Sequence, residues 1–316
     1  MEQTLLLEMT GSVKASIPLE VLLKDRTTNN WIIWATNSYR RFGSRFAADK
    51  PILPIFITSE PPFIRPRYQK SSHERSDRSR KKAEVFTPSW ICNIQNNLVD
   101  YEWFGYDAFN VADEGTWTTI TEPVTFPKEK TWQDYVQDVR LEMTCGEAPY
   151  IVSRYDTVTG EEIELKNRIG LLDRKIRVVN ENASEDDWYL FVKKAFQSTY
   201  GFDWQGDNVV LARLNLVYTF IDYYLDKFGT GPTEEQLTEI CEIISWNIWQ
   251  MDGTKFVIPN SCKDAVFQMT IDGTKVAVSK CEGCEKGLYK KHNGKYCTIM
   301  DWSKNTRVKF RDMVKG

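Results

Sequence analysis

Thr199-Tyr-Gly-Phe-Asp-Trp-Gln-Gly-Asp-Asn-Val-Val-Leu-Ala-Arg-Leu-Asn-Leu216 reads as a strand that ends in a carboxylate and turns directly into an amphipathic helix. Tyr200 to Phe202 supply the β-favouring, apolar end of a buried strand, and Asp203 stands where it stops. Gln205-Gly206-Asp207 is turn chemistry, after which Val209, Val210, Ala212, Arg213 and Leu216 take up helical spacing. In open α/β sheets ligands lie at the carboxyl ends of strands, and an acid there can accept both hydroxyls of a ribose.

Three further segments frame this one. Arg140-Leu-Glu-Met-Thr-Cys-Gly-Glu-Ala-Pro-Tyr-Ile-Val152 has a short apolar start, an acid, a tight turn around Gly146 and a resumed apolar run. Ala83-Glu-Val-Phe-Thr-Pro-Ser-Trp-Ile-Cys92 precedes it, and Trp246-Asn-Ile-Trp-Gln-Met-Asp-Gly253 closes the series. In this order, over roughly residues 83–253, the four segments resemble the adenine-N6 DNA methyltransferases that serve as modification subunits of restriction systems.

In that family a G-E-x-F-T-P segment closes over the methionine part of S-adenosylmethionine. Glu84 to Pro88 match it, with Ala83 in place of the leading glycine, which puts Phe86, Thr87 and Pro88 at the cofactor. An L-D-P-A-C-G-S-G-x-F-L strand and loop wraps the cofactor, and Leu141 to Ile151 aligns with it without a gap. Glu142 stands for the aspartate, Met143 for the proline, and Cys145 and Gly146 are kept. Ala148 replaces the second glycine, so the loop is expected to approach the cofactor less closely. Tyr200 to Leu216 runs along Y-G-x-D-I-N-P-x-A-V-x-L-A-R-x-N-L, which places Asp203 on the ribose-binding acid. Asp252 falls on the aspartate of N-I-x-x-G-D-A-L, which takes the exocyclic amine of the cofactor's adenine.

The resemblance implies an α/β fold, a Rossmann-like sheet with helices on both faces. It also implies S-adenosylmethionine as cofactor, DNA as substrate, and a restriction or specificity subunit as partner. The family's catalytic D/N-P-P-Y/F/W element does not follow Asp252. Its nearest substitutes are Thr298-Ile-Met-Asp-Trp302, offering Asp301 and Trp302, and Ser59-Glu-Pro-Pro-Phe63, offering Glu60 and Phe63. The latter follows the apolar run Ile52 to Thr58, whose plainer reading is a strand ending in a Pro-Pro turn. That departure leaves two rival functions, a non-catalytic methyltransferase-fold DNA-binding or regulatory subunit and a zinc-containing interaction protein without cofactor.

Cys281-Glu-Gly-Cys284, His292 and Cys297 supply three thiolates and an imidazole, a complete tetrahedral shell for structural zinc, with Cys262 as an alternative to His292. The N-terminus lacks a basic leader and no run is long enough to span a bilayer, which points to the cytoplasm, no membrane, and cysteines kept as thiols or metal ligands.

At 316 residues, 41% hydrophobic and 27% charged, the chain fits one principal domain with additions. The expected division is a mixed N-terminal region over 1–82, a cofactor domain over 83–260 and a zinc-bound C-terminal lobe over 261–316. The net charge of −3 gives no global attraction to nucleic acid. Arg65 to Lys82, however, carries eight cations, among them Arg67, Lys70, Arg75, Arg78 and Arg80, against only Glu74 and Asp77. It is the candidate phosphate-contacting stretch, or else a solvated basic loop.

Helical spacing predicts a helix capped by Ser89 with Trp90, Ile91, Ile94 and Leu98 on one side, and a short one capped by Thr131. Two more are expected, over Asp187 to Phe196 and over Thr233 to Ile244 with Leu237, Ile240, Cys241 and Ile244 inward, the latter leading into a strand over Asn247 to Gln250. Residues 101–130 show no period and are expected as a surface excursion.

Overall fold

Six of the 12 prolines fall within the first 66 residues, and this part of the chain accordingly forms only short elements. The computed structural model describes residues 4–8, 14–82, 84–269 and 275–314, a mixed α/β chain. β1 (Thr4–Glu8) and β2 (Lys14–Pro18) pair as an antiparallel hairpin and lead into α1 (Leu19–Leu22). The Ile52 to Thr58 run, expected as a strand, turns instead as α2 (Ile55–Thr58), because Pro54 at its N-cap has a helical φ of −48°. The basic stretch is ordered too, with its second half forming α3 (Ser72–Lys82).

α4 (Ser89–Phe104) begins where expected, but Pro88 rather than Ser89 occupies the cap. It also turns the other way round: Cys92, Asn93, Asn96 and Asp100 are buried, whereas Ile94 and Leu98 are exposed. β3 (Asn110–Asp113) and β4 (Thr116–Thr119) make a hairpin inside the supposed excursion. α5 (Trp132–Gln137) carries a capping box, with Thr131 Oγ1 accepting from the Asp134 amide at 3.2 Å and Asp134 accepting from the Thr131 amide at 2.8 Å.

β5 (Arg140–Met143), α6 (Leu171–Asn182), α7 (Glu185–Gln197), β6 (Thr199–Asp203), α8 (Gly206–Phe228), α9 (Glu234–Asn247) and β7 (Ile248–Gln250) follow. The three strands form a parallel sheet in the order β5-β6-β7. The inverted face of α4 has its cause here. Arg174 of α6 is fully buried and takes Asp100 at 2.6 Å, Asn93 at 2.8 Å and Asn97 at 2.6 Å as acceptors, so the polar side of α4 must face inward.

One apolar cluster runs from Ile17 through Trp34, Phe56, Trp188 and Phe220 to Ile248, so residues 14–70 share the main core rather than build their own. Two polar side chains fasten them to the sheet. Gln250 donates to the Ile33 carbonyl at 2.8 Å and accepts from the Ile33 amide at 3.0 Å, as a neighbouring strand would. Buried Arg213 donates to the carbonyls of Leu22, Lys24, Ser245 and Ile248, the last at 2.8 Å. The approach is close enough that a Cβ on Gly206 would lie 1.9 Å from the Ile33 carbonyl oxygen.

The C-terminal part consists of two hairpins, β8 (Ala265–Met269) with β9 (Lys275–Ser279) and β10 (Thr298–Asp301) with β11 (Thr306–Lys309), separated by α10 (Glu282–Lys286) and followed by α11 (Phe310–Met313). Ile299 and Phe310 pack on Tyr200, Phe202 and Trp249, covering one face of β6 and β7. Among the described residues no helix is long and apolar enough to cross a membrane.

Candidate ligand cleft and metal centre

The carboxyl ends of β5 and β6 open into a cleft of about 600 Å³. β5 and the turn after it contribute Glu142, Cys145 and Gly146, the end of β6 and its turn contribute Asp203 to Gln205, and the segment before α4 contributes Glu84 to Thr87. Asp203 spends one lone pair of each oxygen on the backbone, accepting from the Gln205 amide at 2.7 Å and the Gly146 amide at 3.0 Å. Oδ1 also takes a long contact from the Asn208 side-chain amide at 3.5 Å, which a ligand hydroxyl could displace, and Oδ2 retains a free lone pair. Burial pushes its carboxyl up to about 6, against the lowering effect of those two amides. Glu142 is pushed up as well, first by burial and then by the charge of Asp203, and its shielded Oε2 has no hydrogen-bond partner among the described residues. Two acids at adjacent strand ends therefore face the cleft with acceptors to spare.

The cleft wall is held by an ion network. Arg78 of α3 bonds both oxygens of Glu84, at 2.7 and 2.8 Å from Nε, and reaches Asp207 at the start of α8 at 2.8 Å. Lys70 and the Tyr39 hydroxyl add contacts to Asp207 at 3.3 and 3.0 Å, and Gln205 donates to Glu84 at 2.7 Å. Although burial opposes ionisation, Arg78 and Lys70 hold the Asp207 carboxyl well below the ordinary carboxylate range. Lys70 and Arg78, counted from sequence among the phosphate-contacting cations, are thus internal ion-pair partners.

Several sequence candidates lie elsewhere. Pro88 caps α4 and does not line the cleft, while Ala83 lies outside the described residues. Asp252 is not in the cleft wall: Oδ1 accepts from Thr254 Oγ1 at 2.7 Å and from the Thr254 amide at 3.0 Å, and Oδ2 pairs with Lys255 at 3.2 Å. Its carboxylate is consumed by its own turn. Trp302 donates to Asn247 at 2.7 Å, at the amino end of β7, so Asp301 and Trp302 sit at the opposite end of the sheet from the cleft. Glu60 is exposed and Phe63 packs on Phe42, Phe46 and Phe56, away from it as well. Ala148, aligned from sequence with a glycine, has a left-handed φ of 66° and is fully buried behind the loop. Trp204, Asn208 and Asn260 line the cleft without having been singled out; of these only Trp204, directly after the acid, had a legible position.

A second constellation lies in the C-terminal part. Cys262, Cys281, Cys284 and His292 bring their ligand atoms within 4.8 Å of one another, a Cys3His set able to hold a metal ion. His292 Nδ1 is 3.6 Å from Cys262 Sγ, 3.6 Å from Cys281 Sγ and 3.5 Å from Cys284 Sγ. Gly283 is required here, since a Cβ would lie 2.6 Å from that nitrogen. The set differs from the expected one by a cysteine. Cys262 takes the place given to Cys297, and His292 stays. The reason is backbone pairing: the Ile258 amide donates to Lys295 at 2.8 Å and the Cys297 amide to Phe256 at 2.9 Å, and Cys297 points inward, its thiol 3.4 Å from the Gln250 carbonyl. Cys262→Ser is accordingly expected to abolish stoichiometric metal and Cys297→Ser to leave it intact, as read by metal analysis of protein purified without chelator. The reverse pattern would restore Cys297 as a ligand.

Comparison with protein-family models, curated proteins and solved structures finds no match to the chain.

Proposed function

We propose that the chain binds S-adenosylmethionine as a subunit of a DNA adenine-methylating assembly of the restriction-modification type. The observation that carries this reading is the pair of acids, Glu142 and Asp203, raised by burial at adjacent ends of parallel strands inside one cleft. The group fits the residues present. Asp203 offers a free acceptor site on Oδ2 and, on Oδ1, one held only by Asn208 at 3.5 Å, for two vicinal hydroxyls; Trp204 and Phe86 offer aromatic surface, and Glu142, with an orphaned oxygen, suits a ligand that brings donors and positive charge. When bound, S-adenosylmethionine supplies an activated methyl group; Cys145, Gly146 and Thr87 shape the space around it.

The positions of Asp301, Trp302, Glu60 and Phe63 favour a cofactor-binding subunit over a self-sufficient enzyme, because none of them faces the cleft to accept a target amine. Support for nucleic acid comes from a neighbouring cavity of about 380 Å³, where Arg41, Arg65 and His73 stand beside the exposed ring of Phe42, with Glu74 between the two arginines and Asp77 also in the wall. For the metal we propose structural zinc, since four filled ligand positions leave none open for catalysis.

The test is titration calorimetry with S-adenosylhomocysteine across pH. Asp203 must be ionised to accept two hydroxyls, and it titrates at about 6. Affinity should therefore rise with pH and level off above about 7, with binding at about pH 5 roughly tenfold weaker. A flat profile, or no heat at millimolar ligand, would refute the assignment.

A further inference from the structure

The parallel sheet is closed on one side and open on the other. Beside β7 the Gln250 side chain pairs with the Ile33 backbone. Beside β5 the Arg140 amide donates inward to the Ser198 carbonyl, so strand alternation turns the amide and carbonyl groups of Leu141 and Met143 outward. Among the described residues β5 pairs with β6 alone.

The side chains are left uncovered on the same edge. Leu141 and Met143 stand in register with Tyr200 and Phe202, on the face that Ile299 and Phe310 cover. That cover stops at β6: Tyr200 and Phe202 are buried, whereas Val139, Leu141 and Met143 are 67%, 40% and 71% exposed. Natural sheets block such an edge with charge, proline or a bulge, and the outward row here is apolar throughout.

We propose that β5 is a docking edge for a parallel strand and its following helix, supplied by a partner polypeptide. Direction follows from place. Met143 and Thr144 line the cleft at the carboxyl end of β5, and only a strand running the same way brings its own carboxyl end there. Open α/β sheets complete their ligand sites in this manner, at the boundary between two half-sheets. A second copy related by a twofold axis would pair β5 antiparallel and carry its strand end away from the cleft. The helix is required because a strand satisfies the outward backbone but leaves Leu141 and Met143 bare on the sheet face. The open edge rests on β5 geometry alone and the parallel direction on the position of the cleft; that the incoming strand end delivers the missing acceptor for methyl transfer rests on the function proposed above.

Photocrosslinking tests it. Val139→benzoylphenylalanine and Met143→benzoylphenylalanine, each in the full chain made in its own host cells, report which residues lie against the edge. Both should crosslink to a single other polypeptide within one apolar run, with the residue reached from Met143 lying C-terminal to the one reached from Val139. Leu141→Pro removes an outward amide and no inward one, and Leu141→Lys puts charge on the row. Each should lower the crosslink yield about tenfold or more while leaving circular dichroism and S-adenosylhomocysteine binding as in the wild type. Crosslinks to this same chain, the reverse order, scatter over unrelated proteins, or no crosslink at all would overturn the proposal. Irradiation needs no ligand in the cleft, so failure of S-adenosylhomocysteine to bind would strike the cofactor reading and leave this one standing.

Discussion

Asp203→Ala is expected to weaken S-adenosylhomocysteine binding about 100-fold, the effect of losing two charge-assisted hydrogen bonds worth about 3 kcal/mol together. Asp203→Asn keeps one acceptor oxygen and should fall between, roughly tenfold weaker than wild type. Because Asp203 also orders the Gly146 and Gln205 amides, the comparison needs thermal melts of both variants. Burial raises this carboxyl, so it contributes stability below its ordinary value near 4 that is lost as pH rises through about 6. At neutral pH its buried charge is a net cost, and removal trades relief of that cost against loss of the partner for the Gly146 and Gln205 amides, so the melting temperature should change little. Wild-type affinity in the alanine variant would remove the acid from the ligand site.

Arg78→Met should have the largest effect on folding. The guanidinium bridges two buried carboxylates, Glu84 and Asp207, and methionine would leave Asp207 to Lys70 at 3.3 Å and Glu84 to the more distant Arg67 at 3.7 Å, at a cost of about 3 kcal/mol. Urea unfolding at neutral pH measures it; a loss under about 1 kcal/mol would mean that water reaches the network. The pH dependence gives an independent check. The depressed carboxyl of Asp207 contributes stability above its unfolded value near 4 and loses it as pH falls through the folded value. Wild type should thus weaken in acid, and the variant should weaken less steeply.

The parallel strands were legible because their chemistry is local: apolar starts, an acid at each of two ends, and glycine turns leading into helices. So were α5, α7 and α9, each with a capping side chain and an apolar stripe. What stayed hidden depends on distant partners. Apolar periodicity grouped Ile94 and Leu98 on one side of α4, and that side is exposed, since periodicity cannot register a buried arginine on another helix that demands Asn93 and Asp100. Cysteine spacing favoured Cys297 over Cys262, because only the pairing of residues 256–258 with 295–297 decides which thiol faces the cluster. A run of cations looks like a surface until Glu84 and Asp207, contributed by separate segments, are seen between them. Asp252 was drawn to the cleft by pattern and kept from it by a turn of its own making.

The anchoring of the N-terminal segment sets an order of events during synthesis. The carbonyls of Leu22 and Lys24 wait for Arg213, 191 and 189 positions downstream, and the Thr27 hydroxyl waits 271 positions for the amide of Thr298. At ribosomal elongation of about 5–20 residues per second, Leu22 is made roughly 10–40 s before its arginine exists. Throughout that interval Leu19, Leu22, Leu23 and Ile32, all buried in the finished protein, have only neighbours such as Ile17, Trp34 and Ile52 to pack against, and the α9 side of their core is missing. The N-terminal part of the core is therefore expected to be completed only after α8 and α9 have been made. Shielding those first apolar residues until then is expected to raise the yield of folded chain more than added contacts in the completed fold would.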